Sequence, residues 1–358
     1  MGQFIGCDAH KKFSMFASIN EKGEYGPTAR VGHEREVFRR YLQELPPKSE
    51  IALETSGCYY WIVDEMERAG HVPRLAHAFT AKRRMEGSRH KTNERDARGL
   101  AMLLRNGTLP VVWIPPGELR DQREMLRWRM TLSNLRTRIK NRVHGVLQRY
   151  NLGIGVSDLF GDRGRAELLE RQDELPAYSR RSVLEQLDMI DRIETQIQDC
   201  EQVLEEMLYP SVERNLLDSL PCVGKVLSAV LALELGDVRR FSGPDRVVSY
   251  AGLVPVARES ADWKRQDRCP RDCNTYLKWA YVEAANLISI QRHRWQQRHV
   301  ARLYERVKEH TNMHGKAVVA VARHLAEASY WILTKQQVYQ EPKPRLFVKK
   351  KVLSSTHG

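Results

Sequence analysis

Cysteine is scarce in this chain: Cys7, Cys58, Cys200, Cys222, Cys269 and Cys273 are the only six among 358 residues. Thiols so few and scattered build no disulfide framework, and a reducing compartment, the cytoplasm, is the expectation. Only Cys269 and Cys273 are neighbours, in Cys269-Pro270-Arg271-Asp272-Cys273, and no second Cys/His pair follows at zinc-finger spacing, which argues against a zinc site. Long apolar runs are lacking too. Stretches such as 226–233 fall far short of the ~20 residues that cross a bilayer. The mean hydropathy is −0.54, and Asp8 stands where an export signal would have its apolar centre. Neither membrane residence nor secretion is expected. Acidic residues are the third deficit: 45 Asp and Glu face 58 Lys and Arg, a formal net charge of +13, and the pI is near 9.5. An excess of this size points to a polyanionic partner, nucleic acid first. With 42% hydrophobic and 29% charged residues, the chain has the balance of a globular protein, so wholesale disorder is excluded. Its length allows two or three domains.

Up to residue 117 strands and helices alternate. Residues 4–8, 13–19 and 24–31 read as strands, 34–45 as a helix closed by Pro46-Pro47, and 50–54 as a strand entering Thr55-Ser56-Gly57. A helix at 59–69, a strand at 72–76 and a helix at 94–105 follow. Strands that first pair as hairpins and then alternate with helices predict a mixed sheet flanked by helices.

Residues 118–210 read as helical. Leu132, Leu135, Ile139, Val143 and Val146 mark an apolar face, and 126–149 contains no acid while carrying Arg127, Arg129, Arg136, Arg138, Lys140, Arg142 and Arg149. So unmixed a sign predicts a stripe for phosphates; the plainer reading is a solvated face of a bundle helix. Leu187, Ile190, Ile193, Ile197, Cys200, Leu204 and Met207 then recur every three or four residues, flanked by Glu194, Glu201, Glu205 and Glu206. That heptad-like seam suits an antiparallel hairpin with the basic helix or a dimerising coiled coil.

Residues 211–335 form a third region, mainly helical. Leu220-Pro221-Cys222-Val223-Gly224-Lys225 leads into an apolar helix at 226–235 stopped by Gly236. The turn is like a helix-hairpin-helix, in which backbone N–H groups around Gly224 and Lys225 hold a phosphate; a plain helix connection looks much the same. Further helices read at 245–251, 274–290, 294–308 and 315–333, before a basic tail at 336–358.

Three acids stand out against this layout. Asp8 ends the first strand, Glu54 ends the strand at 50–54, and Asp96 lies in the first turn of the helix after Lys91-Thr92-Asn93-Glu94-Arg95. Clustered carboxylates can hold Mg²⁺ at a scissile phosphate, and a sheet-plus-helix fold can gather these positions. Taken singly each has a plainer role: Asp8 as a turn acid, Glu54 as a surface acid, and Asn93 with Asp96 as an N-cap and its partner.

Taken together and in order, the motifs resemble a known family. The pieces in the first part are Ile5-Gly6-Cys7-Asp8, Ala52-Leu53-Glu54-Thr55-Ser56-Gly57, His90-Lys91-Thr92-Asn93 with Asp96-Ala97, Leu103-Leu104-Arg105, Gly107, Leu109-Pro110 and Trp113-Ile114-Pro115-Pro116. In the second they are Pro221-Cys222-Val223-Gly224, Glu234-Leu235-Gly236-Asp237, Arg240-Phe241, Tyr250-Ala251-Gly252-Leu253-Val254-Pro255, Tyr281-Val282-Glu283-Ala284-Ala285 and Gly315-Lys316. The set resembles the DEDD-type insertion-sequence transposases of the IS110 family and spans nearly the whole chain. The resemblance implies an α+β multidomain protein. It would comprise a RuvC-like domain of the RNase H fold at 1–117, a helical coiled-coil linker at 118–210, a mainly α transposase domain at 211–335 and the basic tail. It further implies a DNA recombinase that excises and inserts its own element, using Mg²⁺ (or Mn²⁺), guided by a structured bridge RNA, acting on double-stranded element ends and target as a homo-dimer or tetramer.

By the same resemblance the family's four metal positions fall on Asp8, Glu54, Asn93 and Asp96, and its serine nucleophile on Ser260. Arg258, Lys264, Arg265, Arg268 and Arg271 surround that serine in sequence, tempered by Glu259, Asp262 and Asp267. Two residues depart from the pattern. Asn93 stands where the family more often has Asp, which removes one negative charge from the site and should weaken metal binding, and Ala261 stands where Gly often follows the serine. Two other functions stay open from the residues alone: a metal-only junction nuclease that needs no serine, and a silent nucleic-acid-binding relative in which Asn93 marks a broken site.

Overall fold

The computed structural model describes residues 3–85, 92–208, 211–254, 257–260, 263–266 and 272–342, the two short stretches 257–260 and 263–266 by their backbone alone. The chain divides into two compact units, Met1–Arg120 and Asp121–Gly358.

In the first unit β1 (Gln3–Ala9), β2 (Phe13–Asn20) and β3 (Ala29–Gly32) run antiparallel, α1 (Arg35–Glu44) follows, and β4 (Glu50–Glu54) returns parallel to β1. After α2 (Tyr59–Arg68), β5 (Val72–Ala76) pairs parallel with β4, giving the order β3-β2-β1-β4-β5. This mixed sheet is the RuvC-like arrangement that the resemblance implies. α3 (Ala78–Met85) and α4 (Asn93–Arg105) complete the unit. The third strand is shorter than expected, and α3 is an element that its Lys82-Arg83-Arg84 run had hidden from apolar periodicity.

Side-chain alternation along the strands sorts the sheet's two faces. Ile5 and Cys7 of β1 and Ile51 and Leu53 of β4 pack with Phe38, Leu42, Ile62 and Met66 of α1 and α2. Ala52 and Ala76 face the other way, into a core with Leu100, Leu103 and Leu104 of α4. Between α1 and α2, Glu65 is 1% exposed and is held by Arg35 at 3.1 Å, Arg39 at 2.7 Å and Arg68 at 2.6 Å. One buried carboxylate thus fastens three guanidinium groups from two helices.

The second unit begins along α5 (Gly117–Arg149), continues through α6 (Asp162–Glu170), and turns back in α7 (Ala177–Met207). Leu132 of α5 packs with Ile193, Ile197 and Cys200, whereas Val143, Val146 and Leu147 pack with Val183, Leu187 and Ile190. Partners that descend along α7 as α5 ascends make this an antiparallel hairpin within one chain. The remaining helices are α8 (Val212–Asp218), α9 (Lys225–Leu235), α10 (Pro244–Tyr250), α11 (Thr275–Gln291), α12 (His299–Thr311) and α13 (His314–Lys335), with a two-stranded hairpin, β6 (Ala257–Ser260) and β7 (Trp263–Gln266), between α10 and α11. α9 is mostly apolar around its circumference and largely buried, with Glu234 as its one buried acid. α12 starts five residues later than expected: Arg298 is its N-cap, stacked on Trp295 at 4.6 Å, and the chain before it turns. Among the described residues no helix is long and apolar enough to cross a membrane.

The Glu65 cluster predicts an acid-sensitive unit. The hydrogen bond from Arg39, then the charges of Arg39, Arg68 and Arg35, hold the Glu65 carboxyl below its ordinary value of 4.5. Its stabilisation is therefore complete above about pH 4.5 and drains away as pH falls through the lower folded value. Glu65→Gln should lower stability at pH 7, and its deficit against the wild type should shrink towards pH 3, as read by denaturant titrations across that range.

Candidate active site

The carboxylates are placed by the sheet. β1 and β4 run parallel with Cys7 opposite Leu53, so Asp8 and Glu54 follow one residue later at the same end of adjacent strands. Because Cys7 and Leu53 face α1 and α2, alternation turns Asp8 and Glu54 to the α4 side. There α4 lies unusually close. A Cβ built on Gly6 would intrude on the Ala97 carbonyl oxygen and the Ala101 nitrogen, so only glycine lets the helix backbone settle on β1.

That approach fixes the first turn of α4. Asn93, Asp96, Ala97 and Leu100 are spaced three and four apart, hence on one face, and Ala97 and Leu100 are buried against the sheet. Asn93 and Asp96 are therefore carried to the sheet end where Asp8 and Glu54 lie. Asn93 is not the N-cap, contrary to the capping expectation: Thr92 is, its side chain accepting from the Arg95 amide at 3.3 Å. Glu94 turns to Arg98 at 2.8 Å and to Thr28 at 3.3 Å.

Several neighbours were not singled out from the sequence. His10 reaches Asp8 Oδ2 through Nε2 at 2.9 Å, a residue two positions along that no periodicity marks. The Cys58 thiol donates to the His10 carbonyl at 3.5 Å, tying the loop after β4 to the β1–β2 turn. Cys7, beside Asp8, is buried and its thiol is pushed up to about 12 by that burial, which keeps it an inert packing group. α3 begins directly after β5, and its exposed Phe79, Lys82, Arg83 and Arg84 add an acid-free surface beyond β5's end.

The donor set of three carboxylates and one amide suits a hard divalent cation. Among the described residues no three His, Cys, Asp or Glu side chains are drawn together into a ready cage. Mg²⁺ does not ask for one, since it keeps several waters and shares its ligands with substrate phosphates. The residues present fit such an ion by donor chemistry and by backbone placement.

In the second unit the basic stripe is largely answered from within. Arg127 donates to Glu234 of α9 at 2.9 Å, Arg129 to Glu201 of α7 at 2.9 Å, and Arg136 and Lys140 lie 3.6 and 3.2 Å from Glu194. Arg138, Arg142 and Arg149 face outward with Trp128 on the opposite side of α5. At the helix-hairpin-helix-like turn, Gly224 is the N-cap of α9 with φ −104°, and a Cβ there would meet nothing within 4 Å. Neither backbone nor packing demands glycine at that point. Lys225 is 79% exposed and 3.9 Å from Glu205. In the β6–β7 hairpin Ser260 pairs with Trp263; the side chains of Ser260, Arg258, Lys264 and Arg265, and the whole of Arg268 and Arg271, lie outside the described residues.

Two family models match the sequence: a DEDD-type IS110 model described as "Transposase" over residues 5–152, and one described as "Transposase IS116/IS110/IS902 family" over 214–302. Together they take in well over half of the chain. The chain belongs to the IS116/IS110/IS902 transposase family. It is 23% identical to the "Probable family 20 transposase" of Pseudomonas aeruginosa over 71% of this chain and 75% of that protein. To the "Transposase for insertion sequence element IS1111A" of Coxiella burnetii it is 21% identical, over 94% and 91% of the two chains. A "Pilin gene-inverting protein" of Moraxella lacunata is 23% identical over 81% of this chain and 82% of its own. As an insertion-sequence transposase the protein is a DNA-acting recombination enzyme, and its DEDD-type domain implies use of a divalent metal. All four candidate metal positions of the transposase fall inside the first matched region, and Gly224, Lys225 and Ser260 fall inside the second.

The Gly6 contact yields a prediction. Gly6→Ala should lift α4 off the sheet, costing ~1–3 kcal/mol or more by overpacking and moving Asp96 away from Asp8. Chemical denaturation should register the loss, and metal-dependent DNA cleavage should fall even at temperatures where the variant stays folded.

Proposed function

We propose that this transposase cuts and rejoins DNA by Mg²⁺-dependent (or Mn²⁺-dependent) strand exchange with Ser260 as nucleophile. What supports the reading most is the placement of Asp8 and Glu54 at one sheet end, on the side to which Gly6 draws the Asn93–Asp96 turn. A divalent cation held there would polarise the scissile phosphate and offset its developing charge. Asp8, Glu54 and Asp96 are the ligands in this reading, with the Asn93 carbonyl as a neutral fourth. His10 holds the Asp8 carboxylate by its hydrogen bond.

The serine step is a transesterification. Ser260 Oγ gives up its proton to a base and forms a bond to phosphorus, while the bond from phosphorus to the leaving deoxyribose oxygen breaks and that oxygen takes up a proton. The link to DNA is kept as a phosphoserine ester, so no bond energy is lost before rejoining. Arg258, Lys264, Arg265, Arg268 and Arg271 supply positive charge in the surrounding sequence.

Nucleic acid is held, in this reading, by the outward cations of α5, by the α9 N-terminus at Gly224 and Lys225, and by the basic loop around Ser260. The absence of any steric need for glycine at 224 supports close approach of a phosphate there. The partners are double-stranded DNA, at the element ends and target, and a bridge-type guide RNA; the enzyme acts as a homo-dimer or tetramer in the cytoplasm. The guide and the assembly rest on the family resemblance and on the net charge of +13.

Two measurements test this. Ser260→Ala should abolish denaturation-resistant protein–DNA adducts while leaving DNA affinity within about twofold; adducts that persist in the variant would assign the chemistry to metal alone. Arg138→Ala and Arg142→Ala should each lower the slope of log affinity against log salt by about one. Arg129→Ala and Arg136→Ala, whose cations serve α7, should instead lower the melting temperature and leave that slope in place.

A further inference from the structure

Glu234 is placed where stability alone would not put an acid. It lies in the last turn of α9, against the negative end of the helix dipole, and its side chain is 0% exposed. The rest of that helix end is served by cations: Arg123 donates to the Leu233 carbonyl at 2.8 Å and the Glu234 carbonyl at 3.0 Å, and Arg240 to the Leu235 carbonyl at 3.1 Å. A leucine at 234 would suit the apolar helix better, since a buried ion pair seldom outperforms a well-packed hydrophobe.

The carboxylate is turned to two other elements. Arg127 of α5 binds it in a fork, at 2.9 Å to Oε1 and 3.2 Å to Oε2. Asn274 Nδ2 donates to the same Oε2 at 2.8 Å. Asn274 in turn uses every group it has. Its Oδ1 accepts from the amides of Tyr276 at 3.1 Å and Leu277 at 3.0 Å, capping α11, and its backbone N–H donates to the Tyr250 carbonyl at 2.8 Å. Tyr250 is the last residue of α10, so this bond joins the two positions that flank, in sequence, the stretch carrying β6, Ser260 and β7. Asparagine carries its acceptor and its donor on separate atoms, so Oδ1 caps the helix while Nδ2 reaches the carboxylate; aspartate would repel Glu234.

We propose that Glu234 and Asn274 are positioning residues that clamp together the two chain positions, 250 and 274, that flank the β6–β7 hairpin in sequence, and so hold Ser260 in register for attack. The clamp rests on the reading of Ser260 as nucleophile, but its mechanical part does not. Arg127 is the anchor: its guanidinium, also stacked over the Tyr276 ring at 4.8 Å, fixes Glu234 against the start of α11.

The test is Asn274→Ser in the full chain, since serine keeps the helix cap and removes the Nδ2 arm, which donates to Glu234 and, at 3.3 Å, to the Tyr250 hydroxyl. Hydrogen exchange of peptides covering residues 257–266 should quicken by about tenfold, while peptides from α5 and α9 exchange as in the wild type. Adduct formation on DNA should fall by roughly ten- to a hundredfold with DNA affinity within about twofold, the mark of a misplaced nucleophile rather than a lost binding surface. Unchanged exchange at 257–266 overturns the clamp whatever the adduct yield, and so does an adduct rate that falls only in step with the folded fraction. If the wild type itself forms no adduct, the serine reading fails while the exchange result still judges the clamp.

Discussion

The candidate metal site of the first unit hangs on how closely one helix lies on one strand. With no side chain at Gly6, the backbone of α4 rests directly on β1, against the Ala97 carbonyl. A larger residue would open a gap of about a side-chain diameter, and an interior with such a gap loses its dispersion contacts outright. The contact therefore does two jobs. It seals the sheet face that holds Ala52, Ala76 and Leu100, and it sets the depth at which Asp96 meets the strand ends. A site built on a strand pair and a helix, rather than on loops, inherits the rigidity of the core beneath it.

The second unit solves a different problem, that of a surplus of cations. α5 carries its arginines and lysine on more than one side, and the inward ones are neutralised by acids borne on α7 and α9. Those acids orient the hairpin and the helix behind it. The outward arginines lie in the stretch 126–149, which carries no acid, where a phosphate backbone would be attracted without competition from that part of the helix. Structure and the proposed binding thus draw on the same run of residues, divided by helical phase.

Much of this was legible in the sequence and some was not, for physical reasons. The strands of the sheet and helices such as α2, α4, α5 and α9 follow their apolar periods closely, because burial against one sheet or one seam writes that period. α3 and α6 did not show, being short and polar, with only Ala81 buried in the first and Gly164 and Leu168 in the second. β6 and β7 lack an apolar alternation altogether. Thr92 and Asn93 are both competent caps, and only backbone geometry chooses between them. Asp8, Glu54 and Asp96 could be named from strand ends and a helix turn, whereas the pairing of Arg127 with Glu234 joins positions more than a hundred apart and leaves no local trace.

The register of β1 on β4 has a consequence for how the molecule assembles. Cys7 sits opposite Leu53, and the pleat turns Glu54 away from the core of Phe38 and Met66. If β4 slipped by one residue, every side chain on it would change faces, and Glu54 would be driven into that core without a partner. Glu54, the acid proposed for the metal site, is thus also a proofreader of the sheet: a chain that pairs its strands wrongly must bury a charge to do so, and the mispaired state is rejected before any DNA is met.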